Sequence, residues 1–203
     1  MTYKVILALC LSVATAFQAQ VAPKVSRTSM QLSIDEVKSD SGVSAPFGYF
    51  DPAGLMSNSD QLDEAYSFYK EVEIKHGRVA MLAALGFLVG EKFHPLFGGD
   101  IDTPSYVAFQ QTPLQKFWPI VVAAIGFIEF KTSVPTFEDP DVARWKVKTD
   151  RVAGDLGFDP LGMKPKDAAG LKSVATKEIN NGRLAMLAIA GMVGQELATG
   201  MKL

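Results

Sequence analysis

Polar and apolar positions in this chain come in long blocks. Charged stretches give way to three apolar runs, Val79–Val89, Phe117–Ile128 and Leu184–Val193. Each is about twelve residues, short of the ~20 that a bilayer-spanning helix needs. On hydropathy alone they describe buried helices of a soluble bundle. They reach spanning length only if their polar flanks join the helix, giving spans at about 71–93, 114–131 and 177–199. The first and third of these contain no proline. The pattern therefore predicts an all-α membrane protein with three transmembrane helices, on condition that the charged flanks are neutralised within the protein.

The flanks are repeated. Glu73–Glu91 and Glu178–Glu196 share Glu, Ile, Gly, Arg, Ala, Met, Leu, Ala, Gly and Glu at matching positions. On a helix, Glu73 and His76 lie about 60° apart and share a face, whereas Glu73 and Arg78 lie about 140° apart and roughly 7.5 Å along the axis. Glu73 and Arg78 are poorly placed to pair, and so are Glu178 and Arg183. Two copies crossing face to face solve both problems, with Glu73 meeting Arg183 and Glu178 meeting Arg78. A first and third helix related by an internal pseudo-twofold repeat is the arrangement this predicts. Gly77, Ala80, Ala83, Ala84, Gly182, Ala185 and Ala188 supply small side chains for the crossing, and Gly86 with Gly90 adds a GxxxG spacing. Ahead of each copy stands a turn sequence, Phe50-Asp51-Pro52-Ala53-Gly54 and Phe158-Asp159-Pro160-Leu161-Gly162. The middle helix has no counterpart, and Pro119 suits its first turn or a kink.

Composition changes this picture little. Formal net charge is −2 and the chain has no basic block, so nothing favours nucleic acid. Its one cysteine, Cys10, lies in a leader: residues 1–16 have a lysine, an apolar core and the small-x-small Ala14-Thr15-Ala16 of a signal peptide. Residues 17–30 carry Lys24, Arg27 and hydroxyls without an acid, the composition of a plastid transit peptide. The helical domain is then 31–203. An ordinary secreted protein is the alternative reading of the leader. Nine Lys or Arg lie from Lys131 to Lys177, against two from Glu91 to Lys116. The basic loop is expected on the stromal side, with the mature N-terminus stromal and the C-terminus luminal.

Glu-x-x-His-x-Arg and Glu-x-x-Asn-x-Arg, on the first and third of three spans with the two FDP turns, resemble the light-harvesting chlorophyll-binding proteins from about Phe47 to Gly200. The Ala-Phe junction at Ala16-Phe17 resembles that of diatom-type plastids, which points to the fucoxanthin chlorophyll a/c-binding branch. The resemblance implies axial ligation of chlorophyll magnesium by Glu73, His76, Glu178 and Asn181, with Arg78 and Arg183 locking the crossed helices. It also implies a ligand at Gln195 and one at Glu129. Val121 stands where the land-plant pattern has a further Gln ligand, which puts one middle-helix pigment in doubt. His94 and Gln115 read better as loop or solvated side chains. Carotenoid end groups are expected near the turns of Asp51 and Asp159, with Phe50, Phe158 and Trp145 as candidate linings. A hard cation such as magnesium prefers the oxygen and imidazole donors these residues offer.

What the resemblance implies is an antenna subunit of the plastid thylakoid membrane. It would bind chlorophyll a, chlorophyll c and fucoxanthin, with a diadinoxanthin-type carotenoid as a further candidate. Its partners would be a photosystem core, other antenna subunits and thylakoid lipids, in an oligomer or supercomplex. Two alternatives stand beside it. One is a photoprotective relative, for which Glu91, Asp100 and Asp102 are the evident luminal acids. The other is an ion or proton translocator, since intramembrane Glu, His and Arg often mark such paths. No nucleophile–base spacing or phosphate loop suggests an enzyme.

Overall fold

Helix formation follows the apolar blocks and overruns their polar edges. The computed structural model describes residues 32–59, 61–93, 101–111, 114–138, 146–148 and 151–203. In it the chain forms α1 (Ile34–Lys38), α2 (Leu62–Lys92), α3 (Ser105–Ala108), α4 (Leu114–Thr132) and α5 (Ala168–Thr199), with a 3-10 turn at Val134–Thr136. The leader segments expected at 1–16 and 17–30 lie outside the described residues, as do His94, Asp100 and Trp145.

The two long helices start earlier than spanning length required, at Leu62 and Ala168 instead of 71 and 177. Bilayer thickness does not end a helix whose backbone bonds can continue. The segment Leu62–Lys70 contains neither glycine nor proline, and Asp63 and Glu64 lie in its first turn, where the helix dipole favours acids. The α5 start is set by Asp167, whose carboxylate accepts the Gly170 N–H at 2.6 Å. Gly200, in the left-handed conformation at φ 66°, ends it. The 31 and 32 residues of α2 and α5 make rods of roughly 46–48 Å.

These rods pack on each other at Gly77 and Gly182. A Cβ on Gly77 would lie 3.0 Å from the Gly182 Cα, and one on Gly182 would lie 2.9 Å from the Gly77 Cα. The backbones therefore touch where no side chain fits. Ile74, Ala80 and Ile179 are buried around this point. The GxxxG expectation fails, because a Cβ on Gly86 or Gly90 would meet nothing within 4 Å. At 100° per residue, Gly86 points about 180° and Gly90 about 140° away from Gly77.

The middle helix behaves differently. Its ends fall within a residue of expectation, and Pro119 sits inside it. No residue of α4 is buried, and Ile120, Val122, Phe127 and Phe130 are each more than 60% exposed. A helix in water buries an apolar stripe. One that is apolar all round and unburied needs a non-aqueous surrounding. Among the described residues, α4 with its 3-10 extension is the one segment long and apolar enough to cross a membrane by composition alone.

Candidate chlorophyll-ligand site

The polar residues of α2 and α5 meet across the Gly77–Gly182 contact. Arg78 Nε donates to Glu178 Oε1 at 2.7 Å, and Arg183 Nε donates to Glu73 Oε1 at 2.6 Å. Both pairs are half-buried. Each guanidinium is also tied to a loop: Arg78 Nη2 donates to the Gly154 carbonyl at 2.9 Å, and Arg183 Nη1 to the Gly42 carbonyl at 2.6 Å. An arginine free to rotate favours a two-pronged grip on a carboxylate. Here part of each fork is spent on a glycine carbonyl, and the arginine engages a single carboxylate oxygen. Among the described residues, Oε2 of neither Glu73 nor Glu178 forms a hydrogen bond.

The anchoring loops match in detail. Gly42, at φ 90°, packs on Ile179, and Gly154, at φ 77°, packs on Ile74. A side chain at either would strike that isoleucine at about 3 Å. The Gly154 N–H donates to Glu71 Oε2 at 2.6 Å, and the Gly42 N–H to Thr176 Oγ1 at 3.3 Å. Glu71 precedes Arg78 by the same interval as Thr176 precedes Arg183. None of these four residues stood out in the sequence. Their signal was a glycine upstream of each FDP turn, hidden by unequal spacing.

His76 presents its ring in a usable form. Its Nδ1 lies 2.8 Å from the Val72 carbonyl, which can only accept, so Nδ1 carries a proton and Nε2 is the nitrogen left to face a ligand. Fixing one imidazole nitrogen on a carbonyl is how a ligating histidine is oriented. The side chains of Asn181 and Gln195 are exposed and form no hydrogen bonds among the described residues. Glu129 on α4 meets Lys75 of α2 and Ser133. The candidates stand apart, and no three acidic, imidazole or thiol side chains converge among the described residues. Separate oxygen and imidazole donors, with the carboxylates balanced by cations, would suit a magnesium that takes a single ligand from the protein.

On the Glu73 side lies a groove of about 760 Å³, bordered by His76, Arg183, Tyr69, Phe47, Phe50 and Met186 among others. Its rim includes the first FDP turn. Asp51 accepts the N–H groups of Leu55 at 2.9 Å and Met56 at 3.0 Å. Asp159 accepts those of Met163 at 3.1 Å and Lys164 at 3.0 Å. Gly54 and Gly162, both at positive φ, close the turns. The Lys164, Met163 and Gly162 N–H groups hold the Asp159 carboxyl below its ordinary range, the Lys164 contact counting most. At Asp51, partial loss of hydration pushes upward, and the N–H groups of Met56, Leu55 and Ser57 outweigh it, so that carboxyl is lowered too.

At the far ends of α2 and α5, Glu91 and Glu196 interact. Glu196 is fully buried, and its Oε2 accepts the Tyr106 N–H at 3.0 Å. Glu91 accepts from the Ser105 N–H and hydroxyl and from the Leu203 N–H. Glu196 was missed as a candidate acid because it closes the repeated segment and read as part of the pattern. Asp102 pairs with Lys202, which holds its carboxyl below the ordinary range. Gln115 is exposed at the start of α4.

Among known proteins, the family profile of the chlorophyll A-B binding proteins matches residues 36–197. The chain is 48% identical over 163 residues to the light-harvesting complex stress-related protein 3.2, chloroplastic, of Chlamydomonas reinhardtii, covering 77% of this chain and 62% of that protein. It is 40% identical over 195 residues to the chloroplastic fucoxanthin-chlorophyll a-c binding protein of Isochrysis galbana, covering 93% of this chain and 90% of that one. With a chloroplastic chlorophyll a-b binding protein of Petunia hybrida it shares 35% identity over 173 residues, 79% of this chain and 62% of the other. It thus spans less than two thirds of the length of the Chlamydomonas and Petunia relatives. With the crossed ion pairs in view, the chain belongs to the chlorophyll A-B binding protein family.

Proposed function

We propose that the chain is an antenna subunit integral to the plastid thylakoid membrane. It binds chlorophyll a, chlorophyll c and fucoxanthin, with a diadinoxanthin-type carotenoid as a further pigment, and passes excitation to a photosystem core within a larger antenna assembly. One observation carries this reading: Glu73 and Glu178 each give one oxygen to an arginine of the other helix, and the second takes no hydrogen bond among the described residues. Glu73, His76, Glu178 and Asn181 hold chlorophyll magnesium beside the crossing, Gln195 does so farther along α5, and Glu129 on α4. The pigments supply absorption and energy transfer. The chain spaces and orients them and keeps the surroundings apolar. The name of the Isochrysis relative, aligned over nearly the whole chain, supports fucoxanthin and chlorophyll c.

In this reading α2, α4 and α5 all cross the membrane, and α2 and α5 with their preceding turns are a duplicated unit about a pseudo-twofold axis at Gly77–Gly182. Equal contacts at Gly42 and Gly154, Ile179 and Ile74, support the duplication. The basic loop before α5 supports a stromal N-terminus and a luminal C-terminus. Purified from its membrane, the protein should yield these pigments on extraction, and light absorbed by carotenoid should emerge as chlorophyll fluorescence. A stably folded but colourless product would contradict the proposal. Closed Glu–Arg pairs argue against a translocation path; bilayer conductance by pigment-free protein would revive it.

A second reading, photoprotective quenching, is favoured by the buried Glu196 facing Glu91 and by the stress-related relative. Protonating this pair alters the contacts that hold Ser105, Tyr106 and Leu203, with Asp102 and Lys202 beside them. Fluorescence lifetime at neutral and mildly acidic pH separates the two. Shortening in acid that Glu196→Gln abolishes indicates quenching, and an unchanged lifetime indicates harvesting alone.

A further inference from the structure

The charged run that opens the first apolar segment contains one residue the pigment reading leaves idle. Glu73, His76 and Arg78 all take part in it, but Lys75 does not. The matching position of α5 is Asn180, so the repeat offers no explanation. Lys75 instead reaches across to α4. Its ammonium donates to Glu129 Oε2 at 2.9 Å and to the Ser133 hydroxyl. That hydroxyl lies against Glu129 Oε2 as well. Both contacts fall on one oxygen, and Glu129 Oε1 forms no hydrogen bond among the described residues. Glu129 thus has the same one-sided satisfaction as Glu73 and Glu178. The difference is the cation's source: a lysine point charge on a neighbouring helix, seated by a serine. Among the described residues this is also the one ion pair joining α4 to a long helix.

We infer that Lys75 is the positioning residue of the middle helix's pigment site. It balances the Glu129 carboxylate so that Oε1 is free to hold a chlorophyll magnesium, and it ties α4 to α2. In water an exposed pair of this kind contributes little. In a bilayer the carboxylate left by losing Lys75 has no partner to hold it in place, and it turns away from the position in which Oε1 can ligate. The inference rests on the reading of Glu129 as a ligand, and the test keeps the two apart.

The measurement is chlorophyll per chain and visible circular dichroism of the pigment-bound full chain, for Glu129→Ala, Glu129→Gln, Lys75→Met and the double variant Lys75→Met/Glu129→Gln. Glu129→Ala should lose the α4 chlorophyll, and Lys75→Met should lose the same one, with the same dichroic band missing. The double variant should regain it, because a glutamine amide oxygen ligates without needing a cation. If Glu129→Ala loses a chlorophyll and Lys75→Met does not, Lys75 has no part in the site. If Glu129→Gln keeps the pigment but the double variant stays depleted, Lys75 acts by packing and the charge argument is overturned. If Glu129→Ala loses nothing, the ligand reading of Glu129 fails and the inference falls with it.

Discussion

In the proposed reading Glu73 lies within the membrane, where a carboxylate is tolerable only when its charge is balanced; Arg183 balances it through one oxygen while the Gly42 carbonyl takes Nη1 of the guanidinium. Arg183→Leu should therefore destabilise by roughly 2–3 kcal/mol, below the range for a fully buried pair because both side chains are partly exposed. It should also cost the pigment proposed at Glu73 and leave the Arg78–Glu178 side intact. Pigment analysis with thermal unfolding checks both halves, and full pigment retention would break the pairing argument. The turn aspartates make a pH prediction. A carboxyl lowered on folding stabilises above its ordinary value and loses that contribution as pH falls through the lowered one. The Met163 and Lys164 amides should stay protected from hydrogen exchange down to the ordinary aspartate value of 3.8 and open only in stronger acid. Opening near neutral pH would show that Asp159 does not hold the turn.

At the scale of elements, the crossing of α2 and α5 depends on two glycines and tolerates nothing larger. Gly77→Ala or Gly182→Ala forces backbone against backbone, and each should cost ~1–3 kcal/mol as an overpacked contact. Gly86→Ala faces open space and should change stability by less than about 0.5 kcal/mol. Thermal unfolding of the three variants separates a specific crossing from a general demand for small residues. Equal effects at Gly77 and Gly86 would refute it. The crossing partners were legible in the sequence because helix angles forbid Glu73 from reaching Arg78, and the repeat supplied the alternative. The glycine carbonyls were not, since Gly42 stands farther from Phe50 than Gly154 does from Phe158 and the loops fall out of register. The pairing of Lys75 with Glu129 was equally hidden: no periodicity links two helices of which one has no counterpart.

For the whole molecule, the fold leaves an unusual amount of apolar surface uncovered, along α4 and on the outer faces of α2 and α5. Lipid and pigment cover it in the proposed reading, and few of the described residues are buried. Orientation rests on the basic loop before α5. With sealed vesicles whose stromal face is outward, added protease should cut between α4 and α5 and spare a tag on the C-terminus. Loss of the tag with the loop intact would invert the topology.

The pairing of charges across the helices and the release of one oxygen on each side meet their most direct test in an experimental structure of the pigment-bound protein. A magnesium should lie at about 2.1 Å from Glu73 Oε2 and another at that distance from Glu178 Oε2, with each Oε1 still on the arginine of the opposite helix. Glutamates held through both oxygens by their arginines, with the nearest magnesium bound elsewhere, would contradict it.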